Sequence, residues 1–202
     1  MTLCASMEQY HSLEKLHIFK IKGRDKGGRL ILTILAKFFP AHTVSVETVT
    51  KYLQDNIYPR LEKEGPFSVL YVHTHVQRAQ NFPGISSLRC IYDHMPSSVK
   101  NNLQSIYFVH PDLHSRLLLA TVGRLFFSGG WYAKVKYVSR VDYLWEHVRR
   151  NETELPEYVY DHDQDLEYCP MMDYGLESDH PRVYGAPSID SPVATYSMRC
   201  IS

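Results

Sequence analysis

This sequence of 202 residues lacks the features that mark several large classes of protein. No apolar run approaches the roughly 18 to 20 residues that span a bilayer, and the first residues lack the basic-then-apolar order of a signal peptide. The four cysteines have no Cys-x-x-Cys spacing, which predicts reduced thiols in a cytoplasmic protein. We therefore expect neither an integral membrane protein nor a disulfide scaffold.

Net charge is also lacking, because 22 basic and 22 acidic side chains cancel. This balance argues against a dedicated nucleic-acid binder, which is usually strongly basic. The cancellation hides a separation: residues 1–150 hold 20 Lys or Arg and 11 Asp or Glu, a net +9, whereas residues 151–202 hold 2 and 11, a net −9. One interpretation is a folded body with a solvated acidic tail. The other is a basic body that meets anionic partners such as lipid headgroups and is screened by the tail.

What the sequence does contain is an alternation of strand and helix patterns. Strands are predicted at 17–22, 29–37, 67–73, 103–109 and 135–138, and helices at 45–64, 86–95, 113–127 and 141–148. This order predicts an α/β fold with a mostly parallel five-stranded sheet, an N-terminal hairpin and covering helices. We expect an N-terminal arm over 1–16, one domain over 17–161 and an acidic, disordered tail over 162–202.

Two local groupings resemble catalytic or phosphate-binding motifs but have simpler interpretations. The Gly-Arg-Asp-Lys-Gly-Gly stretch at 23–28 lies between two predicted antiparallel strands, which favours a hairpin turn over a phosphate-binding loop. Cys90 and His94 stand one helical turn apart and could pair as nucleophile and base, although a buried, inert cysteine is the simpler expectation. The hydrolase pattern Gly-x-Ser-x-Gly is missing from the chain.

A cluster of histidines is the feature of the sequence that most resembles a metal site. His73 and His75 share one face if the strand continues through them, and His110 ends the next strand. Three imidazoles at the carboxyl ends of neighbouring strands could bind Zn²⁺. The alternative is a set of polar residues at a junction between strands and loops, and we expect no metal.

Aromatic residues gather after the apolar helix at 113–127. Phe126, Phe127, Trp131 and Tyr132 surround Gly129-Gly130. They either form core at the end of a helix or act as a gate, an amphipathic element that moves between a pocket and a membrane.

Several segments, in order, resemble one known family. The Gly-Arg-Asp-x-x-Gly-Arg hairpin is followed by a strand ending in His-Pro, a gate helix, a lysine-bearing strand, a short helix and a closing Leu-Pro motif. These segments lie at 23–29, 106–111, 116–127, 134–138, 144–148 and 155–161. In these features 17–161 resembles the CRAL-TRIO lipid-binding domains, and the Leu-Pro motif resembles the subgroup of BCH domains and Rho-GTPase-activating proteins. The chain departs from larger members in having about 16 residues before the first strand, and in having Arg124-Leu125 where Arg-Pro is common.

The resemblance implies a sheet floor roofed by helices around a hydrophobic pocket, with no catalysis and no cofactor. It implies binding and presentation of a lipid, such as a phosphoinositide. Together with the basic excess of residues 1–150, this predicts a cytoplasmic protein that attaches peripherally to an anionic membrane surface. The expected lipid-binding residues comprise a gate, two lysines for headgroup contact and two histidines at the sheet edge: Phe126, Phe127, Trp131, Lys134, Lys136, His73 and His110. The alternative is a BCH-type scaffold that binds small GTPases or a second copy of itself.

Overall fold

The computed structural model describes residues 2–126 and 131–175. Five strands form one sheet: β1 (Phe19–Arg24), β2 (Leu30–Leu35), β3 (Phe67–Val72), β4 (Leu103–Val109) and β5 (Val135–Val138). The α-helices are α1 (Thr2–Lys15), α2 (Val46–Tyr52), α3 (Tyr58–Glu64), α4 (Ile85–Asp93), α5 (Ser97–Asn102), α6 (Leu113–Phe126), α7 (Val141–Leu144) and α8 (Glu157–Tyr168). Short 3₁₀ helices occupy Ala36–Phe38, Trp131–Lys134 and Met172–Tyr174.

The sheet has the strand order β1-β2-β3-β4-β5. β1 pairs antiparallel with β2, and every later pairing is parallel. The predicted α/β class, the mostly parallel five-stranded sheet and the N-terminal hairpin are therefore confirmed. Among the described residues, no helix has both the length and the apolar character needed to cross a membrane.

The long helix predicted over 45–64 is divided at its centre. Leu53–Ile57 forms a π-helical turn between α2 and α3, and Pro59 occupies the first turn of α3. Proline has no backbone N–H and its ring clashes with the preceding turn, so it is tolerated at the start of a helix but not in its interior. Pro59 therefore stands where a new helical segment begins, directly after the widened turn.

The two faces of the sheet are covered differently. One face packs closely against α7, α8 and the segment between them, through Ile31, Leu35, Leu70, Val72, Tyr107, Val109, Val138, Val141, Leu144, Val148 and Val159. The other face lies under α1 to α5 and the π-helical turn. This second side of the sheet holds the cavity described below.

The hairpin between β1 and β2 is fixed by a buried carboxylate. Asp25 accepts hydrogen bonds from the backbone N–H of Arg29 at 2.9 Å, from Arg29 Nε at 2.7 Å and from the Ser68 hydroxyl at 2.8 Å. Gly23 has a φ of +80°, and a Cβ there would lie 2.6 Å from the carbonyl oxygen of Glu152. The glycine and aspartate of the hairpin therefore serve the fold, which agrees with the prediction of a turn.

The first part of the acidic segment, residues 151–175, is folded onto the body. Residues 151–175 contain eight Asp or Glu and no Lys or Arg, so they carry most of the net −9. α8 crosses the expected domain limit at 161, because His162 and Leu166 face the interior. Its acidic residues include Asp163, whose oxygen lies 3.2 Å from Arg140 Nε. We expected disorder from residue 162 onward, but residues 162–175 are folded. Residues 176–202 lie outside the described residues.

Candidate functional site

An apolar cavity of about 360 Å³ lies between the open face of the sheet and its covering helices. Alternate residues of the central strands form its floor: Leu32, Ile34, Val69, Tyr71, Ile106 and Phe108. α2, the π-helical turn and α3 form one wall, while α4 and α6 contribute further lining. Well-packed interiors contain few voids larger than a water molecule. A cavity of this size therefore falls in the range of ligand sites rather than packing defects.

α4 shows how incompletely this side is filled. Its apolar residues Ile85, Leu88 and Ile91 all line the cavity, and no residue of the helix is fully buried. On a helix that packed against a solid core, such residues would be buried. Only the structure reveals that these residues face a cavity rather than a filled core.

Two buried polar atoms on cavity-lining residues have no hydrogen-bond partner within the described ranges. They are the Tyr58 hydroxyl and Nδ1 of His73. Burial raises the pKa of Tyr58 to about 12, so this hydroxyl stays protonated. Buried polar groups usually have a partner, which can be ordered water or a bound molecule.

His73 belongs to a small polar network at one end of the cavity. Its Nε2 lies 2.8 Å from the Ser115 hydroxyl and 3.3 Å from Oδ1 of Asp112. Burial alone would raise the pKa of Asp112, but hydrogen bonds from His73 and Ser115 hold it well below its usual range. Although the three residue types are those of a hydrolytic triad, a triad places its hydroxyl and carboxylate on opposite ring nitrogens. Here both contact Nε2, so the imidazole cannot relay a proton between them.

His110, the other predicted histidine, is absent from the cavity lining. Its Nδ1 lies 2.8 Å from the Thr74 hydroxyl and its Nε2 3.1 Å from Oδ1 of Asp163. Burial lowers the pKa of His110, with the bond to Asp163 opposing that effect. His110 therefore connects the end of β4 to α8 and makes no contact with the cavity.

The two predicted lysines also lie away from the cavity lining. Lys134 Nζ donates to the carbonyl oxygen of Leu103 at 2.5 Å, at the start of β4. Lys136 Nζ is 5.7 Å from the centre of the Tyr107 ring, which belongs to the closely packed face of the sheet. Lys134 is thus held against the start of β4, and Lys136 lies on the closely packed side of the sheet.

The predicted aromatic gate falls mostly outside the described residues. Phe126 ends α6 and Trp131 begins a 3₁₀ helix, but their side chains are outside the description, as is Phe127 altogether. The described part of α6 reaches the cavity through Leu117, Leu118 and Leu119.

The alternative chemistries are not supported by the geometry. His75 has a φ of +57°, so the chain leaves the strand before it and the face shared with His73 is lost. Within 2–126 and 131–175, no group of three or more His, Cys, Asp or Glu is placed to hold a metal ion. Cys90 Sγ is 3.6 Å from Nδ1 of His94, and Cys90 is half-buried rather than fully buried as expected.

Sequence reasoning missed the cavity floor because β2, β3 and β4 are apolar on both faces. It also missed Arg78, which follows β3 in a polar loop and lines the cavity. A basic residue soon after the carboxyl end of a central strand was the signal that could have identified it.

Comparison with known proteins identifies the fold. A family model described as a divergent CRAL/TRIO domain matches residues 28–165. The Drosophila melanogaster protein named "Protein GDAP2 homolog" is 28% identical over 141 residues, which cover 70% of this chain and 25% of that protein. The human "Rho GTPase-activating protein 1" is 28% identical over 160 residues, which cover 79% of this chain and 36% of that protein.

A third relative, the Dictyostelium discoideum "Rho GTPase-activating protein gacY", is 25% identical over 180 residues, covering 86% of this chain and 24% of that protein. In all three comparisons the chain spans about a quarter to a third of the relative's length. The similarity therefore concerns one domain of larger proteins.

Proposed function

We propose that this chain, which belongs to the divergent CRAL/TRIO domain family, binds a hydrophobic ligand in the cavity above its sheet and acts by binding rather than by catalysis. The observation that carries the proposal is the cavity of about 360 Å³ whose lining is almost wholly apolar. The inward-facing residues of α4 add support, because they face this space without being buried. A ligand would bury them.

The free energy for binding comes from removing apolar surface from water, at about 25 cal/mol per Å². A lipid chain in contact with Val69, Leu88 and Leu118 would gain this contribution over most of its length. Its polar group would lie near the few polar residues of the lining.

We further propose that the protein works in the cytoplasm and meets membranes peripherally. Leu117 lines the cavity and is 55% exposed, so it offers an apolar contact on α6 next to the ligand. Leu113, one turn earlier, is 37% exposed. The basic excess of residues 1–150 would favour an anionic surface, and a phosphoinositide is one lipid of that kind.

Mass spectrometry of an organic extract from the natively purified protein tests ligand binding. We expect a lipid in a ratio near one per chain. The control is the variant Val69→Phe, which places a larger side chain in the cavity and is purified in the same way. It should yield markedly less lipid. A clean blank from the wild-type protein, combined with failure to take up an added apolar dye, would contradict the proposal.

A second candidate is a protein-interaction module that binds a small GTPase or a second copy of itself. It is favoured by the relatives named Rho GTPase-activating proteins, which share this region. The similarity to a single domain supports no GTPase-activating activity for this chain. Capture of a purified Rho-type GTPase by the wild-type protein, undiminished in Val69→Phe, would support this second function independently of the cavity.

A further inference from the structure

The cavity carries charged and imidazole side chains at only one end. Its charged and imidazole-bearing lining residues all follow the carboxyl ends of β3 and β4: His73, Arg78, Asp112 and His114. At the opposite end, where these strands begin, the lining is apolar and includes Leu61, Phe67, Val99, Leu103 and Val135. A molecule in the cavity thus meets an environment that changes from polar to apolar along its length.

Most polar side chains at this end of the cavity already contact one another. His73 contacts Ser115 at 2.8 Å and Asp112 at 3.3 Å. Asp112 also accepts the backbone N–H of Ser115 at 2.8 Å, in the first turn of α6. The negative charge of Asp112 is therefore partly offset by these donors and by the positive end of the helix.

Arg78 differs from these residues. It is exposed, and within the described ranges its guanidinium forms no hydrogen bond or ion pair. Arg78 is the one Lys or Arg among the described residues that line the cavity. A guanidinium binds carboxylate and phosphate oxygens with two parallel hydrogen bonds.

We propose that the ligand is a single-chain amphiphile with an anionic head, which contacts Arg78 while its hydrocarbon tail extends toward Phe67 and Leu103. This inference rests on the proposed function of the cavity. A cavity of about 150 Å³ accommodates a molecule of benzene, so a cavity of about 360 Å³ has room for a molecule of roughly twice that size, about a dozen non-hydrogen atoms. That volume suits one chain better than the two chains of a membrane phospholipid.

Displacement of a neutral naphthylamine dye from the full chain tests the proposal. The competitors are dodecanoate, monododecyl phosphate and dodecanol, each below the concentration at which it self-associates. Because a partly exposed ion pair contributes up to about 1 kcal/mol, or about fivefold in affinity, we expect at least one anionic probe to bind about fivefold more tightly than the alcohol. The two anions distinguish a carboxylate head from a phosphate head.

The variant Arg78→Gln should remove this preference and leave dodecanol binding unchanged. Arg60→Gln, on the exposed side of α3 and away from the cavity lining, makes the same change in charge and should retain the preference. Equal binding of anions and alcohol by the wild-type protein, or an unchanged preference in Arg78→Gln, would overturn the inference about the anionic head. The proposed function of the cavity would not be affected by that result. Failure of the dye and every probe to bind would instead contradict the proposed function.

Discussion

Nε2 of His110, at the end of β4, lies 3.1 Å from Oδ1 of Asp163 in the middle of α8. The same carboxylate accepts the backbone N–H of Val141 at 2.7 Å and lies 3.2 Å from Arg140 Nε. Burial alone would raise the pKa of Asp163, but its bonds to His110, Val141 and Arg140 lower it to about 2. One acidic side chain thus joins α8 to the sheet and to the start of α7.

Replacing this carboxylate should weaken the fold and change its response to acid. The lowered pKa of Asp163 means that its contribution to stability is present above the ordinary carboxyl pKa and is lost as the pH falls toward 2. Asp163→Asn should lower the free energy of unfolding at neutral pH by on the order of 2 kcal/mol. Urea unfolding of both proteins between pH 7 and pH 2 measures this, and the variant should lose less stability below pH 4. A parallel pH profile in the variant would contradict the assignment.

Replacement of His110 should alter the profile at higher pH. Because burial lowers the pKa of His110 in the folded chain, the unfolded chain binds the extra proton first as the pH falls. The stability that depends on neutral His110 is therefore present above the ordinary histidine pKa and declines as the pH drops below it. We expect His110→Gln to flatten this decline between pH 7 and pH 5, as followed by urea unfolding. A slope in His110→Gln equal to that of the wild-type protein would contradict this prediction.

Adjacent residues of β3 should respond in opposite ways to the same enlargement. Val69 lines the cavity, whereas Leu70 is fully buried in the closely packed core on the other face. Overpacking a filled core typically costs about 1–3 kcal/mol, so Leu70→Phe should lower the free energy of unfolding and leave dye binding intact. Val69→Phe should barely change the free energy of unfolding and should weaken dye binding by roughly tenfold or more. Equal destabilisation by both variants would show that no usable space lies above Val69.

A charge on the exposed part of α6 should reduce attachment to membranes. Leu117 is 55% exposed, and full burial of a leucine side chain contributes about 1.5–3 kcal/mol. Leu117→Asp should therefore reduce flotation with vesicles of phosphatidylcholine and phosphatidylserine by roughly tenfold. Tyr143→Asp adds the same charge at a residue of α7 that is 58% exposed, beyond the closely packed face. Similar losses in both variants would assign the effect to charge alone.

The sequence itself determined the five strands, their order and most of the helices between them. Alternation in β1, continuous apolar runs in β3 and β4, and glycines around Asp25 were enough to predict the hairpin and the parallel sheet. These signals are local, because they depend on the twofold period of strands and on backbone freedom at glycine. The motif order also sufficed to predict the family, which the match over 28–165 confirmed.

Only the tertiary structure decided which sheet face is hollow and which polar residues meet the cavity. Strands that are apolar on both faces do not reveal which side is filled, so Val69 and Leu70 look alike until the helices are placed. His110 and His73 follow neighbouring strands, yet one bonds to α8 and the other lines the cavity. The acidic segment resembled a solvated tail because amino-acid composition does not reveal which residues elsewhere in the chain its side chains contact. α8 is ordered by burial of Leu166 and by the contact of Asp163 with His110, which join residues far apart in the chain.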